Sequence, residues 1–128
     1  MEKMIYEHFI IPLNPVSKKN SSRIVWAGNR PRVIPSKAYC DYEPKALRKL
    51  PYFAEPISEP VQVKAIFYMK THHRVDLVNL EEALLDVLVK GGVLADDNSD
   101  IVPSYDGSRV AYDKANPRTE VWIFSYDY

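Results

Sequence analysis

RVDLVNLEEALLDVLVKGGVLADD, running from Arg74 to Asp97, holds one amphipathic helix bracketed by acids. Leu77, Leu80, Ala83, Leu84, Val87 and Leu88 recur at helical spacing, and the run stops at Gly91-Gly92 directly after Lys90. Asp76 precedes the first apolar residue and is suited to cap the helix, its carboxylate accepting an N–H left free in the first turn. At roughly 100° per residue, Asn79, Glu82 and Asp86 lie within about 60° of one another on a polar stripe. Beyond the glycines, the short apolar pair Val93-Leu94 can turn the chain back and bring Asp96-Asp97 close to the helix start. Carboxylates converging in this way repel one another unless a divalent cation sits among them, and hard oxygen ligands suit Mg²⁺ or Mn²⁺ better than zinc. A plainer reading stands beside it: Asp76 as a cap and Asp96-Asp97 as polar turn residues explain the same pattern without metal. A calcium loop does not fit, because counting from Asp96 puts Ile101 at the sixth position, which needs glycine, and Gly107 at the twelfth, which needs glutamate.

Upstream, the pattern alternates. Val61, Val63, Ala65, Phe67 and Met69 fall on one face of a strand from Val61 to Met69. The basic turn KTHHR then leads through Arg74 to Asp76. Its histidines, His72 and His73, are adjacent and lack a thiolate partner, so they read as exposed turn residues near phosphate rather than zinc ligands. Tyr6 to Leu13 reads as a first strand, and the following PVSKKNSSR offers Lys18, Lys19 and Arg23 among small residues, a loop suited to gripping phosphate. Ile24–Trp26 and Arg32–Ile34 suggest a short hairpin carrying Arg30 and Arg32. Ser36 is a candidate cap for a helix between about Lys37 and Leu50 that Pro44 should kink or break. Tyr39 and Tyr42 on it suit packing against the sheet better than stacking on bases. Prolines at 51, 56 and 60 mark a loop.

Downstream, Asp106-Gly107 predicts a hairpin between Ile101–Tyr105 and Arg109–Tyr112, and Thr119 to Tyr126 alternates as a last strand. Strands before and after two helical stretches give an α+β fold: one small domain over residues 1–128, with a mostly antiparallel mixed sheet and both helical segments packed on one face.

Composition agrees with a single globular core, at 46% hydrophobic and 27% charged residues. No apolar run approaches the roughly 20 residues of a membrane helix, and MEKMIYEHFIIPLNP lacks the uncharged core and cleavage site of a signal peptide. A single cysteine, Cys40, fits a reducing cytoplasm. The formal net charge of zero conceals a segregation. Met1 to Arg74 carries 13 Lys and Arg against 6 acids, and Val75 to Tyr128 carries 4 against 11. One half suits phosphates and the other suits cations, although ion pairing between the halves would explain the imbalance equally well.

The order Asp76-Leu77-x-Asn79-Leu80, then Asp86 and Leu88, then Gly92 and Asp96-Asp97, resembles the RusA family of Holliday junction resolvases, and does so without a gap. IPLNPVSKKNSSR and the basic, tyrosine-bearing stretch after it resemble the same family, so the likeness covers most of the chain. It implies a Mg²⁺-dependent endonuclease, with Mn²⁺ as substitute, acting as a homodimer on four-way DNA junctions in recombination and repair, in a bacterial or prophage setting. By that likeness Asp76 and Asp97 are catalytic metal ligands with Asp96 beside them, Asn79 and Asp86 support the site, and Lys18, Lys19, Arg23, Arg30, Arg32 and Arg74 meet DNA. Two positions depart from the family pattern: Val78 stands where a second aspartate is expected, and Glu82 where a lysine is expected. Val78 and Glu82 are four residues apart on one helix face, and helical side chains lean toward the N-terminus. Glu82 can therefore reach the vacated place and join the catalytic and metal set; otherwise it is a solvated residue of a decayed site. The alternatives to an active resolvase are a junction-binding homologue that no longer cuts and an interaction domain without nucleic acid.

Overall fold

The structure, a computed structural model, describes residues 4–18 and 23–128, with Arg23 described by its backbone alone. Along the chain the elements are β1 (Ile5–Ile11), β2 (Arg23–Ala27), β3 (Arg30–Ile34), α1 (Lys37–Leu47), β4 (Val61–Met69), α2 (Leu77–Lys90), β5 (Arg109–Tyr112) and β6 (Arg118–Ser125). The cleanly alternating strand, β4, organises the sheet. Its neighbours are β6 on one edge, antiparallel, and β5 on the other, parallel, with β1 outermost and antiparallel to β6. Register follows from hydrophobic alternation: Val63 pairs with Ile123 and Ala65 with Val121, so both strands turn the same apolar face inward. Both helices cover that face, and Leu80, Ala83, Leu84, Val87 and Leu88 of α2 join the core. The result is the expected α+β domain with a mixed sheet.

Three sequence expectations change. First, α1 runs unbroken through Pro44. The proline removes one hydrogen bond near the helix end, while Tyr39, Tyr42 and Ala46 bury the same face on both sides of it. Ser36 caps this helix as read, its hydroxyl accepting the Tyr39 N–H at 3.2 Å. The two tyrosines belong to the core.

Second, the hairpin around Asp106-Gly107 does not form. The turn exists, closed by the Ser108 N–H donating to the Tyr105 carbonyl at 3.1 Å, with Gly107 at φ 86°. Its two flanks, however, both run along β4 instead of along each other. Val61 N–H donates to Ile101 O and Val63 N–H to Ser104 O, at 2.8 and 3.0 Å, and β5 continues the edge from Arg109 opposite Ile66. Burial decides it: Ile101 and Val102 lie in the core, which a free-standing hairpin would expose.

Third, Asp76 does not cap α2 with its side chain, a point of the site below.

The far end of α2 explains both glycines. Gly92, at φ 78°, donates to Val89 O at 3.1 Å while Val93 N–H donates to Leu88 O at 2.9 Å. This pair of bonds closes a Schellman motif around a left-handed residue. Gly91 allows close packing instead, since a Cβ there would lie 2.3 Å from Leu50 Cδ1. Val93 and Leu94 are then buried. They are tied to the proline-marked loop by Ile57 N–H donating to Val93 O and Ala95 N–H to Ile57 O, both at 2.9 Å.

Candidate active site

Asp76 has the extended backbone of a cap residue, at φ −98° and ψ 123°, and its carbonyl accepts the Leu80 N–H at 3.1 Å. Its carboxylate, however, accepts from Asn79 Nδ2 at 3.2 Å instead of from the helix backbone. The acid is thereby held outward and exposed at the helix start, and Asn79 becomes the residue that orients it.

The tight turn after α2 folds the chain back, and its two aspartates diverge. Asp96 is used by its own loop. Its Oδ1 accepts the Asp97 N–H at 2.7 Å and its Oδ2 accepts from Asn98 Nδ2 at 3.2 Å, while Asn98 Oδ1 takes the Asp100 N–H at 2.9 Å. Asp97 instead enters a cleft of about 320 Å³ lined by Val78, Glu81, Glu82, Leu85 and Tyr105. Val78 and Glu82, one turn apart, thus meet the acid that the turn delivers.

The electrostatics of this cleft follow from burial first and crowding second. Burial first, then the Asp96 side chain and the charge of Asp86, push the Asp97 carboxyl above its ordinary value. Burial likewise raises Glu81, opposed by a hydrogen bond from Ser108, whose hydroxyl oxygen also accepts the Ala65 N–H at 3.0 Å. The Tyr105 phenol is raised by burial and then by Glu81, Asp97 and Glu82. Tyr105 therefore keeps its proton amid three carboxylates, and among the side chains lining the cleft it is the hydrogen-bond donor. Neither Glu81 nor Tyr105 stood among the site residues expected from the sequence. The signal for Glu81 was present, because it falls between Leu77, Leu80, Leu84 and Leu88 on the apolar stripe and is buried there.

Asp86, one turn beyond Glu82, pairs with Lys18 of the basic loop, whose ammonium also lies 5.6 Å from the centroid of the Tyr39 ring. Asp86 thus supports the loop, and Lys18 is engaged by it. Lys19 lies outside the described residues. Arg30 and Arg32 are exposed on the β2–β3 hairpin, far along the chain from the acids. Arg74 and His73 share a depression of about 430 Å³ with Asn14, Ser17 and Ser36, next to the basic loop. His72 stacks on Tyr112, with 3.6 Å between ring centroids.

Among the described residues no group of three or more His, Cys, Asp or Glu is spaced to hold a metal ion. Glu82 and Asp97 do share a cleft, and two hard carboxylates suit an ion such as Mg²⁺ that keeps several waters. Burial and then the neighbouring carboxylates raise Asp97, and the repulsion among these acids is what a cation there would relieve.

The domain thus sets two acids of α2 and one acid of the turn after it around a single cleft, with Asp86 of the same helix paired to Lys18. The chain belongs to the RusA family: the family model described as endodeoxyribonuclease RusA matches residues 12–124, nearly the whole chain. A comparison with curated proteins gave no match. No helix among the described residues is long and apolar enough to cross a membrane.

Proposed function

We propose that this protein is a Mg²⁺-dependent, structure-selective endonuclease that resolves four-way DNA junctions in recombination and repair. The observation that carries the reading is the shared cleft of Glu82, Asp97 and Tyr105 in a chain of the endodeoxyribonuclease RusA family. Glu82 and Asp97 would hold the cation, with Asp76 at the helix start and Asp96 behind Asp97 completing the acidic surround. When bound, the ion supplies positive charge to the scissile phosphate and lowers the pKa of a coordinated water. In the reaction water adds to phosphorus, the bond to the departing sugar oxygen breaks, and that oxygen takes up a proton. Tyr105, kept protonated by burial and by its acidic neighbours, can donate to a phosphate oxygen in a site that lacks the family's lysine. Arg74, Lys18 and Lys19 would steer the phosphate backbone to the cleft, with Asp86 holding Lys18 in place.

Cutting a four-way junction symmetrically takes two nicks, and one chain supplies one site, so the working form is a homodimer. The sheet face opposite the helices supports this, because the outer strand β1 leaves Ile5 60% and Ile10 44% exposed. The test is a nicking assay on a fixed four-way junction with Mg²⁺ or Mn²⁺, alongside sedimentation. Paired nicks by wild type, lost in Asp97→Asn, are expected from a dimeric protein. No cleavage with either metal at micromolar protein would overturn the assignment.

A further inference from the structure

The β2–β3 hairpin forms a two-stranded sheet of its own, and every residue from Ile24 to Val33 is exposed. Its register sorts the side chains by face. Ile24 pairs with Val33 and Trp26 with Pro31, whereas Val25 pairs with Arg32 and Ala27 with Arg30. One face is therefore wholly apolar, with Ile24 68%, Trp26 69% and Val33 74% exposed. The opposite face carries the two arginines. The tip is the two-residue turn Gly28-Asn29, with Gly28 at φ 65°.

A two-stranded ribbon is marginal in water, and a contiguous apolar face on it marks a surface that something covers. The partner must satisfy both faces. A protein surface would bury the apolar face and leave the arginines unmatched. The groove of an unbroken duplex would suit the arginines but set Trp26 and its neighbours against sugar and phosphate. An open branch point offers both surfaces at once: the flat face of a terminal base pair, and phosphates of the strand that departs from it.

We propose that the β2–β3 hairpin is a wedge for branched DNA. Trp26, flanked by Ile24, Pro31 and Val33, stacks on the base pair exposed where duplex arms part, and Arg30 and Arg32 pair with the phosphates of the adjoining strand. Apolar wedges and aromatic stacking are established ways of holding unstacked bases. The proposal rests on the reading that this protein binds branched DNA, and it assigns the recognition of the branch to residues that do not line the acidic cleft.

The test uses the full chain without metal, so that nothing is cut. Affinity is measured for a four-way junction bearing 2-aminopurine at the branch and for a linear duplex of equal length, together with sedimentation. Wild type should prefer the junction and alter the probe's emission. Trp26→Ala should lose about tenfold in junction affinity, the scale of one base–aromatic stack, with duplex affinity and sedimentation unchanged and the change in emission gone. Trp26→Phe should retain most of both signals, and Val33→Ser should weaken junction binding in the same selective way. Wild-type preference for the junction that survives Trp26→Ala intact would overturn the wedge alone. Equal losses on junction and duplex would overturn it too, as would a Trp26→Ala protein that sediments as a smaller species, which would make the hairpin an arm grasping a second copy. A wild-type protein with no preference for the junction would overturn the branched-DNA reading and the wedge with it.

Discussion

Replacing Glu82 by alanine tests whether this residue has taken over from the aspartate that Val78 displaces. Glu82 shares a cleft with Asp97 and Tyr105, so as a ligand it supplies one of the three carboxylates there, Glu81 being the third. Removing a preorganised charge from a reacting phosphate costs about 3 kcal/mol, which corresponds to roughly a hundredfold in rate. Asp86→Ala is the internal control. Asp86 pairs with Lys18 while both side chains stay about a third exposed, at 32% and 33%, and such a pair contributes at most about 1 kcal/mol. Isothermal titration with Mn²⁺ and single-turnover nicking of a fixed junction should therefore show Glu82→Ala losing both metal affinity and cleavage, as Asp97→Ala does, and Asp86→Ala changing each by less than about fivefold. A Glu82→Ala protein with undiminished Mn²⁺ affinity would refute the substitution argument. If cleavage rose instead in the double variant Val78→Asp with Glu82→Lys, the family arrangement would be the better one and Glu82 a passenger.

Glu81 is raised by burial, so the ionised form fits the fold less well than the neutral one. The stability it confers is fully present below the carboxylate range and is lost as pH rises through its raised folded value. Glu81→Gln should match wild type in Tm at low pH and exceed it near pH 7, as differential scanning calorimetry across that range would show. Gly92→Ala places a side chain at φ 78° with open space around the added carbon, so its cost is conformational, about 1 kcal/mol. It should appear as a lower denaturation midpoint without loss of secondary structure. Arg30→Ala with Arg32→Ala should lower the slope of log affinity against log salt on branched DNA by nearly 2, each arginine releasing about one counterion.

What sequence could convey here depended on whether the signal was local. Alternation along Val61–Met69 placed both ends of β4, because a strand buried on a sheet face repeats every two residues whatever its partners are. The Gly91-Gly92 stop of α2 was equally legible, since positive φ and close packing are local demands. The failures were choices between partners. Ile101–Tyr105 and Arg109–Tyr112 look like a hairpin locally, but the unfilled edge of β4 competes for both and also buries Ile101 and Val102. Asp76 looked like a cap because the backbone alternative was the only one in view, whereas Asn79 offers its carboxylate a side-chain donor. The sequence left Asp96-Asp97 as one pair, either turn residues or ligands; in the fold the turn explanation describes Asp96, whereas Asp97 lines the cleft. Glu81 was passed over because an acid among leucines reads as noise until Ser108, distant in sequence, arrives beside it.

Because β5 lies parallel to β4, it cannot dock by a tight turn; the whole connection from Lys70 to Ser108 has to be laid down first. The antiparallel pairings of β6 with β4 and β1 close longer loops still, whereas α2 is built from local contacts. Tyr105 and Ser108 reach the edge of β4 only by such long-range closure, so Glu81 meets its hydroxyl partner, and the cleft its donor, after the helix has formed. During folding the acids of α2 are thus present before the residues that enclose them. A chain arrested at that stage would keep most of its helical signal while its amides along the outer edge of β4 exchanged freely with solvent.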